Sequence, residues 1–274
     1  MTGARPRAPR ATPATPAPRG PRRGTAQRRD DILREVLAGN GDIFDLAARF
    51  GISVSTVRRD LQQLAGDGHI HRTYGGAVAG GHTPELTLDE KESGNRTQKE
   101  AIARAASERV AEGDVVLIDA GTTTGWLARM LQSRSGITVI TNSTIAVRHL
   151  MEADGVELIV LGGRVRRPNG AILGPEGDET LRRLTPDLVF LGADGLHASD
   201  GLSCPTLEQA HSKELMAERA REVFVLADES KLGNSPFPYH ARQRGPWTLF
   251  TDEGAAPETV KEFTAKGRCT VVTA

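Results

Sequence analysis

Ser53-Val54-Ser55-Thr56-Val57-Arg58-Arg59-Asp60-Leu61-Gln62-Gln63-Leu64 decides how the N-terminal part of this chain is read. Val57, Leu61 and Leu64 recur at i, i+4 and i+7, which predicts one apolar helix face, and Ser53 is placed to cap the helix. The other face offers Ser53, Ser55, Thr56, Arg58, Arg59 and Gln62. Hydroxyls and arginines near a helix start reach DNA phosphates and base edges, and an arginine takes guanine O6 and N7 together.

Working outward, Asp42 is a good N-cap for a preceding helix with Phe44, Leu46, Ala47 and Phe50 pointing inward, and Gly51 supplies its C-terminal turn. Ile32, Val36 and Leu37 mark the apolar face of a first helix. Gly66 and Gly68 end the third helix, and His69–Ala77 reads as a short strand pair closed by Gly75-Gly76. Two short helices joined by a tight turn, the second carrying paired arginines, predict a helix-turn-helix. The hairpin adds His69, His71, Arg72 and Tyr74 as a wing. An ordinary helical hairpin with solvated charges competes with this reading, and Arg58-Arg59-Asp60 alone favours the ordinary hairpin.

Charge supplies no shortcut. The whole chain is formally neutral. Between Arg28 and Ala77, Arg28, Arg29, Arg34, Arg49, Arg58, Arg59 and Arg72 are balanced by Asp30, Asp31, Glu35, Asp42, Asp45, Asp60 and Asp67. DNA affinity must then come from placement, from dimerisation or from a basic arm. Asp60 is expected to orient or screen a neighbouring arginine. Residues 1–27 alternate prolines with arginines and contain no acid. Such a segment buries too little apolar surface to fold, so it is expected to be disordered. It is either an arm that adds phosphate attraction or an extension with no role.

A polar stretch, residues 79–97, reads as a linker, so that the helix-turn-helix domain spans 28–78 and a second domain spans 98–274. There the pattern changes to apolar strands alternating with amphipathic helices. Strands are expected at Val115–Asp119, Thr138–Thr141, Glu157–Leu161, Leu188–Leu191, Val223–Leu226, Thr248–Thr251 and Thr270–Val272. Helices are expected near Gln98–Glu112, Gly125–Gln132, Thr144–Ala153, Leu207–Arg221 and Pro257–Lys266. This alternation predicts an α/β domain with a mainly parallel sheet covered by helices on both faces.

Gly121-Thr122-Thr123-Thr124 follows a strand and opens a helix, where backbone N–H groups and the helix dipole favour an anion. Alone it reads equally well as a capped helix start. Asn142-Ser143, Gly162-Gly163 and Gly192-Ala193-Asp194-Gly195 also end strands, and such ends share one edge of a parallel sheet, where ligands bind. Asp194 and Asp228 are candidates to accept sugar hydroxyls, and Lys213 and Lys231 to meet a phosphate.

Cys204 and Cys269 match no metal-ligand spacing and are expected as reduced, buried thiols in a reducing cytosol. No metal or cofactor site is read from the chain. No run approaches the roughly 18 apolar residues of a membrane span. The N-terminus lacks the apolar region of a signal peptide, so a cytoplasmic protein without a membrane partner is expected.

Arg28, Ile32, Val36, Ser53, Thr56, Val57, Arg58, Arg59, Asp60, Leu61 and Leu64 stand at the spacing of a known signature. They resemble the DNA-binding segment of the deoxyribose-operon repressor (DeoR) family. His71-Arg72-Thr73-Tyr74-Gly75-Gly76-Ala77 resembles the wing end of the same family. From Lys99 to Asp252 the chain is similar to the family's C-terminal sensor, through Asp119-Ala120-Gly121-Thr122-Thr123, Val139-Ile140-Thr141-Asn142-Ser143, Leu161-Gly162-Gly163, Leu191-Gly192-Ala193-Asp194-Gly195, Gly201-Leu202, Lys213 and Ala227–Gly233. The resemblance implies a winged helix-turn-helix on double-stranded operator DNA and a sensor similar in fold to ribose-5-phosphate isomerase. It also implies a phosphorylated sugar effector and a homo-oligomeric repressor, dimer or tetramer, of a sugar-catabolic operon.

The rival reading is a sugar-phosphate isomerase with a DNA-binding appendage. In those isomerases Gly-Ala-Asp is followed by a second acid, a Lys-Gly-Gly segment and a catalytic Glu directly before a Lys. Here Gly195 follows Asp194, Gly201-Leu202-Ser203 carries no Lys, and Ser212 precedes Lys213. The apparent base for the C1/C2 proton is missing, and Asp194 as a substitute, one acid without its partners, is a poor catalyst, so binding without turnover is the expectation. A third reading, a DNA-binding architectural protein with a vestigial second domain, predicts no ligand response.

Overall fold

A computed structural model of the chain describes residues 24–38, 40–66, 70–73, 76–79, 85–265 and 267–274. They belong to two compact units that meet in sequence between Ala79 and Gly80.

The N-terminal unit contains α1 (Thr25–Leu37), α2 (Ile43–Phe50), α3 (Val54–Gly66), β1 (Ile70–Thr73) and β2 (Gly76–Ala79). α1 begins three residues upstream of the expected boundary at 28, and residues 1–23 of the expected arm lie outside the described residues. The core is Ile32, Val36, Ile43, Leu46, Val57, Leu61, Leu64 and Ile70. Asp42 caps α2 as expected, accepting from Phe44 N at 2.8 Å and Asp45 N at 3.1 Å. Gly51 ends α2 in the left-handed region, at φ 61°, which lets the chain turn directly into α3.

Two expectations fail here. Phe44 and Leu37 are 65% and 48% exposed rather than inward. Ile43 starts the α2 stripe, with Leu46, Ala47 and Phe50 at i+3, i+4 and i+7, which turns Phe44 out. Leu37 lies one position past Val36 and is carried off the inner face. The hairpin also differs from expectation: Gly76 pairs with Thr73 and Ala79 with Ile70, so the second strand starts at Gly76 and runs two residues beyond Ala77. Gly68, His69, Tyr74 and Gly75 lie outside the described residues.

The C-terminal unit begins with α4 (Leu88–Ser93) and α5 (Arg96–Ser107), then β3 (Val115–Ile118), α6 (Thr122–Leu131), β4 (Ile137–Thr141), α7 (Thr144–Leu150) and β5 (Val156–Val160). A hairpin, β6 (Arg164–Arg166) and β7 (Ala171–Leu173), leads to α8 (Pro175–Arg182) and β8 (Leu188–Gly192). Then come β9 (Gly195–His197), β10 (Gly201–Cys204), α9 (Leu207–Arg219), β11 (Glu222–Leu226), β12 (Tyr239–Ala241), β13 (Trp247–Thr251), α10 (Pro257–Thr264) and β14 (Cys269–Thr273).

All seven expected strands are present, and each neighbour pair in their sheet is parallel, in the order β14-β13-β11-β8-β3-β4-β5. Alternate side chains serve two cores. Val116, Ile118, Phe190, Phe224 and Phe250 pack toward α5 and α6, while Leu117, Val189, Leu191, Val225 and Leu249 pack toward α8, α9 and α10. From β3 the order runs one way through β4 to β5, and from β8 the other way through β11 to β14. The sheet therefore has its switch point between β3 and β8, where the following loops diverge and leave a crevice. Among the described residues, no helix is long and apolar enough to cross a membrane.

Candidate functional site

On α3 the exposed face carries Ser55, Arg58, Arg59 and Gln62, with Ser53 exposed at its start. Ser53 Oγ lies 2.9 Å from Ser55 Oγ and 2.8 Å from Thr56 Oγ1, and accepts from Thr56 N at 3.2 Å. Neither Arg58 nor Arg59 has an acidic partner among the described residues. Asp60 faces the other way, is 1% exposed, and accepts from Arg28 Nε at 2.7 Å and Arg29 Nε at 3.1 Å. So Arg28, expected at the DNA, is engaged in tying α1 to α3, and Asp60 serves the arginines of α1 rather than those beside it. The side chain of Arg72 lies outside the described residues.

In the C-terminal unit a cleft of about 250 Å³ opens at the switch point. It lies near the lower end of small-ligand sites, about 300–1,000 Å³. Gly121, Thr122 and Thr123 form one wall, and Gly192, Ala193 and Asp194 another. Gly121 is the N-cap of α6 and supplies no side chain, so the first N–H groups of the helix have no side-chain cap. A Cβ on Gly121 would lie 3.1 Å from Thr124 Oγ1 and 3.6 Å from Gly192 Cα, so the two strand ends approach closely at this point.

Asp119 organises the floor. Its carboxylate, 3% exposed, accepts from Gly192 N at 3.1 Å, from Asn142 Nδ2 at 3.4 Å and from the Lys213 ammonium. Lys213 Nζ also donates to Gly192 O at 2.8 Å. Burial opposes the charge on Lys213, but the Asp119 carboxylate prevails and holds its pKa above the usual lysine range. The pair joins β3, β4, β8 and α9. Cys204, close to Lys213, is buried, and burial pushes its thiol up to about 12. Cys204 and Cys269 are both free and buried, as expected.

Polar groups with hydroxyl-binding capacity line the opposite side. Asp228 Oδ1 accepts from Asn95 Nδ2 at 2.8 Å and from Ser230 N at 3.2 Å. Asp194 pairs with Lys91 at 2.6 Å. Lys99 Nζ donates to Gly94 O at 2.7 Å and to Lys91 O, and burial, set against the pull of Asp228, keeps its pKa below the usual lysine range. Among the described residues, the Lys231 ammonium has no hydrogen-bond or ion-pair partner.

Of the expected ligand residues, Gly121, Thr122, Thr123, Asp194, Lys213, Asp228 and Lys231 line the cleft. Lys213 does so with its ammonium already committed to Asp119 and Gly192, so it is not a free phosphate partner. Thr124, Asn142 and Ser143 are buried and support the cleft's walls. Thr124 Oγ1 donates to Asp119 O at 2.7 Å, Asn142 Oδ1 accepts from Ala120 N at 2.9 Å, and Ser143 Oγ caps α7 by accepting from Ala146 N at 3.2 Å. Gly162 and Gly163 are not among the cleft's lining. A Cβ on Gly163 would lie 2.4 Å from Leu173 O, so this glycine permits close packing against β7. The lining that sequence reading missed comes mostly from the supposed linker: Leu86, Leu88, Glu90, Lys91, Gly94 and Asn95. Its one local signal was the capping box of Thr87 and Glu90, which starts α4.

Comparison with known proteins places both units. Residues 28–82 match the DeoR-like helix-turn-helix domain, and residues 94–253 match the DeoR C terminal sensor domain. The chain is 37% identical over 244 residues to the HTH-type transcriptional regulator GlpR of Haloferax volcanii, covering 88% of this chain and 95% of that one. It is 31% identical over 248 residues to the putative aga operon transcriptional repressor of Escherichia coli O157:H7, covering 89% and 92%. A ribose 5-phosphate isomerase from Methanocaldococcus jannaschii is similar over 50% of this chain and 54% of its own, at 22% identity and a TM-score of 0.38, a likeness too loose to bear on chemistry. The chain belongs to the DeoR family of helix-turn-helix transcriptional regulators.

Proposed function

We propose that the protein is a repressor of a sugar-catabolic operon, that α3 reads double-stranded operator DNA, and that a phosphorylated sugar bound in the switch-point cleft controls it. The observation that carries the effector assignment is the open N-terminus of α6 in a cleft that also holds Lys231, whose ammonium has no partner among the described residues. Backbone N–H groups at N1 to N3, the positive end of the helix dipole and an ammonium together favour a dianionic phosphate. Asp194, Asp228 and Asn95 supply acceptors and a donor for the hydroxyls of a polyol chain. Relatives support the effector class: one is named for the aga operon, and another, from Escherichia coli K12, is the glycerol-3-phosphate regulon repressor, 28% identical over 70% of this chain and 76% of its own.

Catalysis is not required by this arrangement. The position before Lys213 is Ser212, Asp119 is neutralised by Lys213, and Asp194 is held by Lys91. The protein acts as a homo-oligomer, dimer or tetramer, so that two copies of α3 meet an operator together. A ligand that binds the DNA-competent and incompetent forms with a tenfold difference supplies about 1.4 kcal/mol of coupling.

Thermal unfolding against a panel of phosphorylated and free sugars, with sugar consumption followed in the same wells, tests the proposal. A native-state ligand raises stability by mass action. Stabilisation by a sugar phosphate, not by the free sugar, and without consumption, is the expected result. Consumption would establish an isomerase, and no stabilisation by any sugar phosphate would remove the effector assignment.

A further inference from the structure

The segment from Glu85 to Asn95 supplies part of the cleft's lining, and two of its residues, Lys91 and Asn95, are anchored to other groups that line the cleft. Lys91 bridges Asp194 at 2.6 Å and Glu85 at 3.2 Å. Glu85 is in turn held by the guanidinium of Arg166 on β6. Asn95 donates to Asp228 at 2.8 Å and to Ser230 at 3.2 Å. Among the described residues Asn95 is also the non-glycine residue with positive φ, at 50°. Asparagine tolerates that region better than most residues, and a non-glycine residue held there marks a position fixed by its surroundings. Lys99, on the first turn of α5, donates to Gly94 O and Lys91 O and so closes the C-terminal end of the segment. In sequence this segment lies between the last wing strand and the sensor sheet, so the chain entering from the DNA-binding unit must pass through it.

We infer that Glu85–Asn95 is a ligand-responsive strap in which Lys91 exchanges Asp194 for the phosphate of the bound effector. The inference rests on the effector-site reading above. Among the described residues, the acids within salt-bridge distance of Lys91 are Glu85 and Asp194. A phosphate seated on the α6 N-terminus presents more negative charge than a carboxylate, and it lies across the same cleft. Drawing Lys91 to it frees Asp194 for a sugar hydroxyl and draws α4 inward with it. Ligand occupancy thereby changes the position of the segment that precedes the sensor sheet in sequence.

Hydrogen exchange on the full chain, with inorganic phosphate as the probe, tests this. In the wild type, phosphate should slow exchange across 121–125, which reports the anion site, and also across 88–95, which reports the strap. Lys91→Met should speed exchange across 88–95 about tenfold or more in the absence of phosphate, and phosphate should no longer slow it. Lys91→Arg should restore the response. Slowing at 121–125 with unchanged exchange at 88–95 in the wild type would overturn the strap while leaving the anion site standing. A Lys91→Met strap that phosphate still slows would assign Lys91 a packing role only and overturn the exchange of partners. No slowing at 121–125 would overturn the site reading itself, and the strap with it.

Discussion

Asp60, buried on the inner face of α3, accepts from Arg28 Nε of α1 at 2.7 Å. Arg29 Nε reaches the same carboxylate at 3.1 Å, so one acid fastens two consecutive residues of α1 against α3. Burial by itself would raise the pKa of Asp60; the hydrogen bonds from Arg28 and Arg29 overcome it and hold the carboxyl below its ordinary value. A depressed folded-state pKa contributes stability that is present above the unfolded value, about 3.9, and is lost as pH falls through the folded one. Chemical unfolding of the N-terminal unit should therefore show stability falling on acidification below about pH 4. Asp60→Ala should cost about 2 kcal/mol at neutral pH and flatten that acid limb. An acid limb unchanged by the substitution would remove Asp60 as its source.

Arg28 and Arg58 should then separate cleanly. Arg58→Ala should weaken operator binding by about 1–3 kcal/mol and leave the unfolding temperature unchanged, because Arg58 is exposed and has no acidic partner among the described residues. Arg28→Ala should lower stability first, with DNA affinity following only as far as the fold is lost. Binding titrations and thermal melts on the same two variants check this. An Arg28→Ala protein that melts normally but fails on DNA would restore Arg28 to the interface.

The helix α3 and the seven-stranded sheet were legible because their signals are local. Val57, Leu61 and Leu64 repeat at helical spacing, and the strands are apolar runs bounded by polar turns. The cleft was only half legible. Reading every strand-end loop as ligand-binding treated Asn142-Ser143 and Gly162-Gly163 as equals of Gly121 and Asp194. The loops differ because the switch point falls between β3 and β8, and strand order is set by long-range pairing that no short motif carries. The strap was missed for the same reason. Its composition is polar, and its role comes from Lys91 meeting Asp194 and Asn95 meeting Asp228, which stands 133 residues away in sequence.

Gly163 illustrates the difference between a ligand glycine and a packing glycine. Its φ is 140°, and an added Cβ would stand 2.4 Å from Leu173 O and 2.6 Å from the Leu173 carbonyl carbon. Both the backbone region and the space exclude a side chain. Gly163→Ala should destabilise the C-terminal unit by about 2 kcal/mol or more, through strain and displacement of β7. Ligand affinity of the fraction that remains folded should be unchanged. A variant that keeps its melting temperature but loses phosphate protection at the α6 N-terminus would return Gly163 to the site.

The two lysines of the cleft make opposite predictions. Lys231 has no partner among the described residues, so Lys231→Gln should leave stability almost unchanged and weaken sugar-phosphate binding about tenfold, the loss of one charge-assisted contact. Lys213 is buried against Asp119, and removing one member of a buried pair leaves an uncompensated charge. Lys213→Met should therefore cost about 3–5 kcal/mol of stability before any effect on binding is read. Asp119→Asn in the same background should recover part of that loss, because the stranded carboxylate is then gone. If instead Lys213→Met melts like the wild type and only loses effector affinity, the ammonium faces the ligand and the floor of the cleft is organised by Asp119 with Gly192 N and Asn142 alone. A double-mutant cycle over Lys213 and Asp119, read by melting and by effector titration, separates these outcomes, since coupling appears in stability for a floor pair and in affinity for a ligand contact.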